Sequence, residues 1–173
     1  DAGAVVARPR RIELRRLLEG TVASLQAAAR AKGLALRVDC ASGLAAHSDP
    51  DLLRRVLVNL LDNALKFTAS GEVVASARPV GDAIEIAVHD TGPGIAPADQ
   101  SRVFDDLVQL PGSAQRMGHG LGLGIVRRVA ALLGTQVRVE SAPGRGATFR
   151  WQVPATMSAE VEPSDVPTSI SLA

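Results

Sequence analysis

The chain has 173 residues, 46% of them hydrophobic, which suits one domain with a real core and argues against disorder through most of its length. Lys and Arg number 19 against 18 Asp and Glu, a net charge of +1, so neither nucleic acid nor a membrane surface is indicated as the main partner. Aromatic residues make up 2% and tyrosine is absent, which excludes base-stacking platforms of the single-strand-binding kind.

In chain order, Ile12, Leu14, Leu17, Leu18, Val22 and Leu25 recur at helical spacing and predict a helix over 12–32, stopped at Gly33 by a left-handed cap. "LALRVD" alternates and predicts a strand over 34–39, with a second short strand near 44–47. Ser48 or Asp49 caps the next helix, Pro50 fits its first turn, and its apolar stripe runs to about Phe67. "GEVVASARPV" and "AIEIAVHD" form a hairpin around Gly81-Asp82. "TGPGI" breaks the pattern, and a short helix covers 97–104. Residues 108–120 lack periodicity and contain Pro111, Gly112, Gly118 and Gly120, which predicts a mobile loop. A helix over 121–134 is entered through glycines and closed at Gly134, then strands 136–141 and 147–153 flank "APGRG". From 155 the chain is rich in Pro, Ser, Thr and Glu, as a linker or tail is. The order gives an α+β fold with a mostly antiparallel sheet and helices layered on one face.

Cys40 is the single cysteine, so internal disulfides and Cys-based zinc sites are excluded and a reducing compartment is the natural setting. His47, His89 and His119 are far apart, with no metal-ligand spacing between them. No long apolar run or signal pattern indicates a membrane span or export.

Three features carry chemistry. Asn59, Asn63 and Lys66 lie on one stripe of the second helix, although asparagine is a mediocre helix former. Two carboxamide oxygens and a lysine suit a hydrated magnesium ion with its phosphates; a solvated polar face explains the same residues more simply. Two glycine clusters follow, "HDTGPGI" after a strand and "GHGLGLG" before a helix. Each is either a turn needing positive φ or a backbone cradle for phosphate. Neither is a Walker loop, and the second does not open a dinucleotide-binding unit. Asp90 either caps its own turn or accepts from an exocyclic amine in a pocket behind it.

Taken together and in order, "NLLDNALKFT", "DTGPGI", "VFDDLVQ", "GHGLGLGIV" and "SAPGRGATF" resemble the catalytic ATP-binding domain of bacterial sensor histidine kinases. That domain belongs to the gyrase, chaperone, histidine kinase and mismatch-repair ATPase superfamily. The resemblance covers roughly 10–154 and implies the family's two-layer α/β sandwich, the Bergerat-type ATP-binding fold, with ATP and Mg2+ as cofactors. It implies Asn63 as metal ligand, Asn59 as its companion near metal and phosphates, and Lys66 as a phosphate contact. Phe67 would pack on adenine and Asp90 accept from the adenine amine, with Gly92 and Gly94 shaping the pocket and Thr148 supporting it from a neighbouring strand. Gly118, His119, Gly120, Leu121 and Gly122 would form the hinge and phosphate-facing turn of the ATP lid. Departures are "FDDL", with Leu107 in place of a second aromatic, and His119 and Gly124 where Thr and Ala are frequent. Arg116 is the one candidate γ-phosphate contact in the lid. Asn59 stands where hydrolysing relatives carry a water-activating acid.

The implied organisation is a junction with a preceding dimerisation domain over 1–11, the ATP-binding domain over 12–154 and a flexible tail over 155–173. The implied function is donation of the γ-phosphoryl group of Mg-ATP to a histidine on a separate dimerisation and phosphoacceptor domain, since none of the three histidines has a phosphoacceptor context. A response regulator or fused receiver domain would act downstream, in the cytoplasm or on the cytoplasmic side of a membrane-anchored sensor. The alternative is an ATP-binding regulatory module without productive transfer.

Overall fold

The structure is a computed structural model that describes residues 5–105 and 122–156. It begins with a strand where helix was expected: β1 (Arg10–Glu13) precedes α1 (Leu14–Ala31). β1 pairs antiparallel with β3 (Ala45–Ser48), setting Ile12 opposite Ala46, and Leu14 N donates to Leu44 O at 3.0 Å. Ile12 is buried through this pairing and not through a helix face. The pairing is long-range, which is why local periodicity misassigned residues 12 and 13. The chain is also tied back beyond the boundary expected at 154, by a bridge between Ala46 and Ala155 and by Thr156 N donating to Ala45 O at 2.8 Å.

α1 buries Leu14, Leu17, Leu18, Thr21, Val22 and Ala29. It ends at Lys32, and Gly33 turns the chain away at φ 68°. β2 (Ala35–Cys40) then pairs parallel with β4 (Glu72–Val80), from Ala35 opposite Glu72 to Cys40 opposite Ala77. Between them runs α2 (Pro50–Phe67). Asp49 caps it, accepting from Asp51 N at 2.9 Å and Leu52 N at 3.1 Å, and Leu53, Val56, Leu57, Leu60, Leu61 and Ala64 form its buried stripe.

The remaining pairings are antiparallel. β4 turns through Gly81, at φ 60°, into β5 (Ala83–Asp90). β5 pairs along its length with β7 (Ala147–Pro154), and β7 with the short edge strand β6 (Arg138–Ser141). The sheet order is β2-β4-β5-β7-β6. α1 and α2 pack on each other and on the sheet, and α4 (Gly122–Leu132) packs on α2. Under these helices lie Val73, Ala75, Ile84, Ile86, Val88, Phe149 and Trp151, alternating along their strands. The opposite face is polar, with Arg150 bridging Glu85 at 3.0 Å and Glu140 at 3.2 Å. This is the expected two-layer α+β sandwich with a mixed, mostly antiparallel sheet.

α3 (Pro97–Gln100) is shorter than the helix expected to 104. Beyond it Arg102 N bonds to Asp99 O at 2.9 Å and Asp105 N to Arg102 O at 3.0 Å, which are turns and not helix. The loop expected over 108–120 and the tail beyond 156 lie outside the described residues. No helix among the described residues is long and apolar enough to cross a membrane.

Candidate functional site

The buried stripe of α2 leaves Asn59, Asn63 and Lys66 half-buried along one margin of the helix. Asn59 donates through Nδ2 to Arg55 O at 2.7 Å, so its amide end is spent on the helix and its carboxamide oxygen is the atom left for a ligand. Lys66 Nζ stands 5.6 Å from the centroid of Phe67, an aromatic ring left 39% exposed. The helix stops at Thr68, whose N–H closes on Ala64 O at 3.0 Å. Its side chain is fully buried, and its hydroxyl has no hydrogen-bond partner among the described residues.

Asp90 ends β5 and is 7% exposed. Burial pushes its carboxyl above the ordinary range, while the N–H groups of Gly92 and Ala147 and the nearby His89 hold the rise back. Its Oδ1 accepts from Gly92 N at 2.9 Å, so the turn-capping role is real. The surroundings bring a second oxygen close to it. A Cβ on Gly92 would lie 2.8 Å from Asp90 Oδ1, 3.2 Å from Thr68 Oγ1 and 3.6 Å from Phe67 O. The end of α2 and the end of β5 therefore converge on one glycine, each presenting an oxygen.

The turn between β6 and β7 locks this loop. Gly144 N donates to Pro93 O at 2.7 Å, Ile95 N to Ser141 Oγ at 2.8 Å, and Ser141 Oγ to Gly146 O at 2.6 Å. Gly94 and Gly146 have φ of 74° and 72°, and a Cβ on either would strike a backbone carbonyl, of Ala142 and of Asp90 respectively. On the same side, Phe104 meets Phe149 edge to face at 5.9 Å and anchors the segment that leads into 106–121.

Asn59 and Asn63 lie along α2 and Lys66 and Phe67 at its end, while Asp90 ends β5 and Gly92 and Gly94 follow it; the two ends meet at Gly92. Thr148 does not join them. It pairs with His89 across β5 and β7, and its Oγ1 lies 2.9 Å from His89 Nδ1 on the face opposite Asp90. The residue opposite Asp90 is Ala147, and a step of one residue along a strand exchanges faces. Gly118, His119, Gly120, Leu121 and Arg116 lie outside the described residues; Gly122 opens α4. Two contributors escaped the sequence reading, Thr68 and Gly146. Thr68 directly follows the "NALKF" run and could have been found as a polar residue at a helix end; Gly146 was marked only as part of a turn.

The chemistry of these donors fits a magnesium nucleotide. Carboxamide oxygens match the oxygen preference of magnesium, which keeps several waters and takes few protein ligands. A buried carboxylate beside an unpartnered hydroxyl, behind glycines, matches the hydrogen-bonding edge of a planar base.

The fold is that of ATP-binding α/β sandwiches. The chain belongs to the histidine kinase-, DNA gyrase B- and HSP90-like ATPase family, which matches residues 48–157. It is homologous to sensor kinases: 40% identical over 166 residues to the virulence sensor protein BvgS of Bordetella bronchiseptica, covering 91% of this chain and 13% of that protein. It is 41% identical over 110 residues to the adaptive-response sensory kinase SasA of a Synechococcus strain, covering 62% of this chain and 29% of that one. The chain thus spans well under a third of either relative. Among solved structures, full-length ShkA in complex with AMPPNP superposes with a TM-score of 0.81 at 32% identity, over 91% of this chain and 33% of that one. The nucleotide-free catalytic domain of histidine kinase ThkA shares the fold, with a TM-score of 0.75 at 20% identity, over 85% and 95% of the two chains.

Proposed function

We propose that this chain binds Mg-ATP and presents its γ-phosphoryl group to a histidine on a separate dimerisation and phosphoacceptor domain, as the catalytic part of a two-component sensor kinase. The observation that carries the reading is the convergence of Asp90 Oδ1 and Thr68 Oγ1 on Gly92, at the end of the helix that bears the carboxamide stripe. ATP supplies the transferable phosphoryl group; the residues supply position and charge. Asn63 offers its carboxamide oxygen to the metal, with Asn59 one turn earlier as companion. Lys66 faces the phosphates, Phe67 packs against the base, and Asp90 accepts from the exocyclic amine. Phosphoryl transfer depends mainly on positioning and charge stabilisation, so a site without its own general base is sufficient. The acceptor belongs to the parent or a cognate kinase, and a response regulator or fused receiver domain takes the phosphoryl group next.

Titration calorimetry with and without magnesium tests the metal role. Asn63→Ala should weaken Mg-ATP binding by about tenfold or more and leave magnesium-free nucleotide binding nearly unchanged. Equal losses under both conditions would make Asn63 a structural residue.

A further inference from the structure

Of the 19 lysines and arginines in the chain, only Lys32 and Lys66 are lysine, and the two meet at one helix end. Lys32 terminates α1: its backbone N–H closes on Ala29 O at 3.1 Å, and the chain turns away at Gly33. Its side chain crosses to the end of α2. There the ammonium donates to the carbonyl oxygen of Leu65 and, at 3.1 Å, to that of Lys66. The last carbonyls of a helix have no N–H of their own helix to accept from, and they carry the negative end of its dipole. In α2 the Thr68 N–H satisfies Ala64 O, and Lys32 satisfies the next two. A compact ammonium with three rotatable donors suits two carbonyls leaving one helix end, whereas the planar fork of arginine suits carboxylates.

We propose that Lys32 is a positioning residue for the nucleotide site: by gripping the carbonyls of Leu65 and Lys66 it fixes the last turn of α2, and so the placement of Lys66, Phe67 and Thr68, before the ligand arrives. The proposal rests on the nucleotide-binding reading above. Lys32 acts through the backbone of α2. Without the clamp the terminal turn frays, and the cost of ordering it falls on binding.

The test compares the parent chain with Lys32→Met, which keeps the stem and removes the charge, and Lys32→Arg, which keeps charge and donors. Mg-ATP affinity is measured well below each melting temperature. Lys32→Met should bind about tenfold more weakly and Lys32→Arg, which keeps the charge but not the compact ammonium, should recover only part of the loss. A residue that merely stabilises the fold would lower the melting temperature and leave affinity intact. With two lysines in the chain, lysine-selective labelling gives two side-chain NMR signals; the Lys32 ammonium should already be protected from exchange before Mg-ATP is added, and the Lys66 signal should shift on addition. Equal affinity of parent and Lys32→Met would overturn the proposal and leave ATP binding standing; a parent that does not bind Mg-ATP would overturn both. Should Lys32→Met melt too low for titration, the parent's signals decide: a Lys32 ammonium that exchanges its protons as fast as an exposed lysine before Mg-ATP is added would overturn the clamp.

Discussion

Asp90 carries a carboxylate into a place where water is scarce, and that costs stability unless the charge is used. Its folded-state pKa is raised, chiefly by burial. A raised carboxyl contributes stability that is fully present below its unfolded value, about 3.9, and is lost as pH rises through the folded value. The apo parent should therefore lose stability relative to Asp90→Asn between acid and neutral pH, and at pH 7 the variant should melt no earlier than the parent. ATP affinity should fall by about tenfold or more in the same variant, because an amide N–H would then face the exocyclic amine. Thermal melting across pH, with calorimetry at pH 7, reads both. A variant that melts much earlier at neutral pH would reduce Asp90 to its bond with Gly92.

Among the elements, α2 links the two ends of the site's logic. Its N-terminus hangs on Asp49, which accepts from Asp51 N, Leu52 N and, at 2.7 Å, Arg8 N. Burial works against the Asp49 charge, but these three N–H groups outweigh it and hold the carboxyl below its ordinary value. A lowered carboxyl contributes stability that is present above the unfolded pKa and is lost as pH falls through the folded one. Asp49→Ala should cost about 1–2 kcal/mol at neutral pH, with the gap to the parent closing in acid; chemical denaturation at pH 7 and pH 2–3 measures it. This helix was legible in the sequence because cap, Pro50 and apolar stripe are all local signals. The β4–β5 hairpin was legible for the same reason. β1 was not, since a single apolar residue, Ile12, marks it and its partner lies more than thirty residues on. The site was read in the same uneven way. The stripe of Asn59, Asn63 and Lys66 is a matter of spacing along one element, whereas the face on which Thr148 falls depends on the register of β7 against β5.

At the scale of the molecule, the proposed nucleotide site and its acceptor are expected on separate domains. His47 is exposed on β3, where it pairs with Arg11, and His89 is engaged with Thr148. His119 lies outside the described residues. Asn59, tied to Arg55 O, has no carboxylate with which to activate water. The isolated chain should therefore bind ATP yet neither label itself nor release phosphate at a useful rate; a dimerisation domain from the parent kinase, added in trans, should become labelled on its own histidine. Acid-labile phosphate on His47, His89 or His119 would contradict this, as would brisk hydrolysis that disappears in Asn59→Ala. The parallel pairing of β2 with β4 has a bearing on how such a domain comes into being. β4, β5, β7 and β6 form an antiparallel run whose strand pairing uses no residue before Glu72, and its hairpin of β4 and β5 closes over two residues. β2 joins β4 across the chain that holds all of α2, Ala35 lying opposite Glu72, but β5 reaches β7 across a longer stretch, Asp90 lying opposite Ala147, so the β5–β7 closure carries the larger entropic cost. The expected order is hairpin first and the β5–β7 pairing last. The carboxamide stripe and Lys32 belong to the earlier-closing part, and the proposed nucleotide site is completed when β7 brings Gly144 and Gly146 against the loop that follows Asp90.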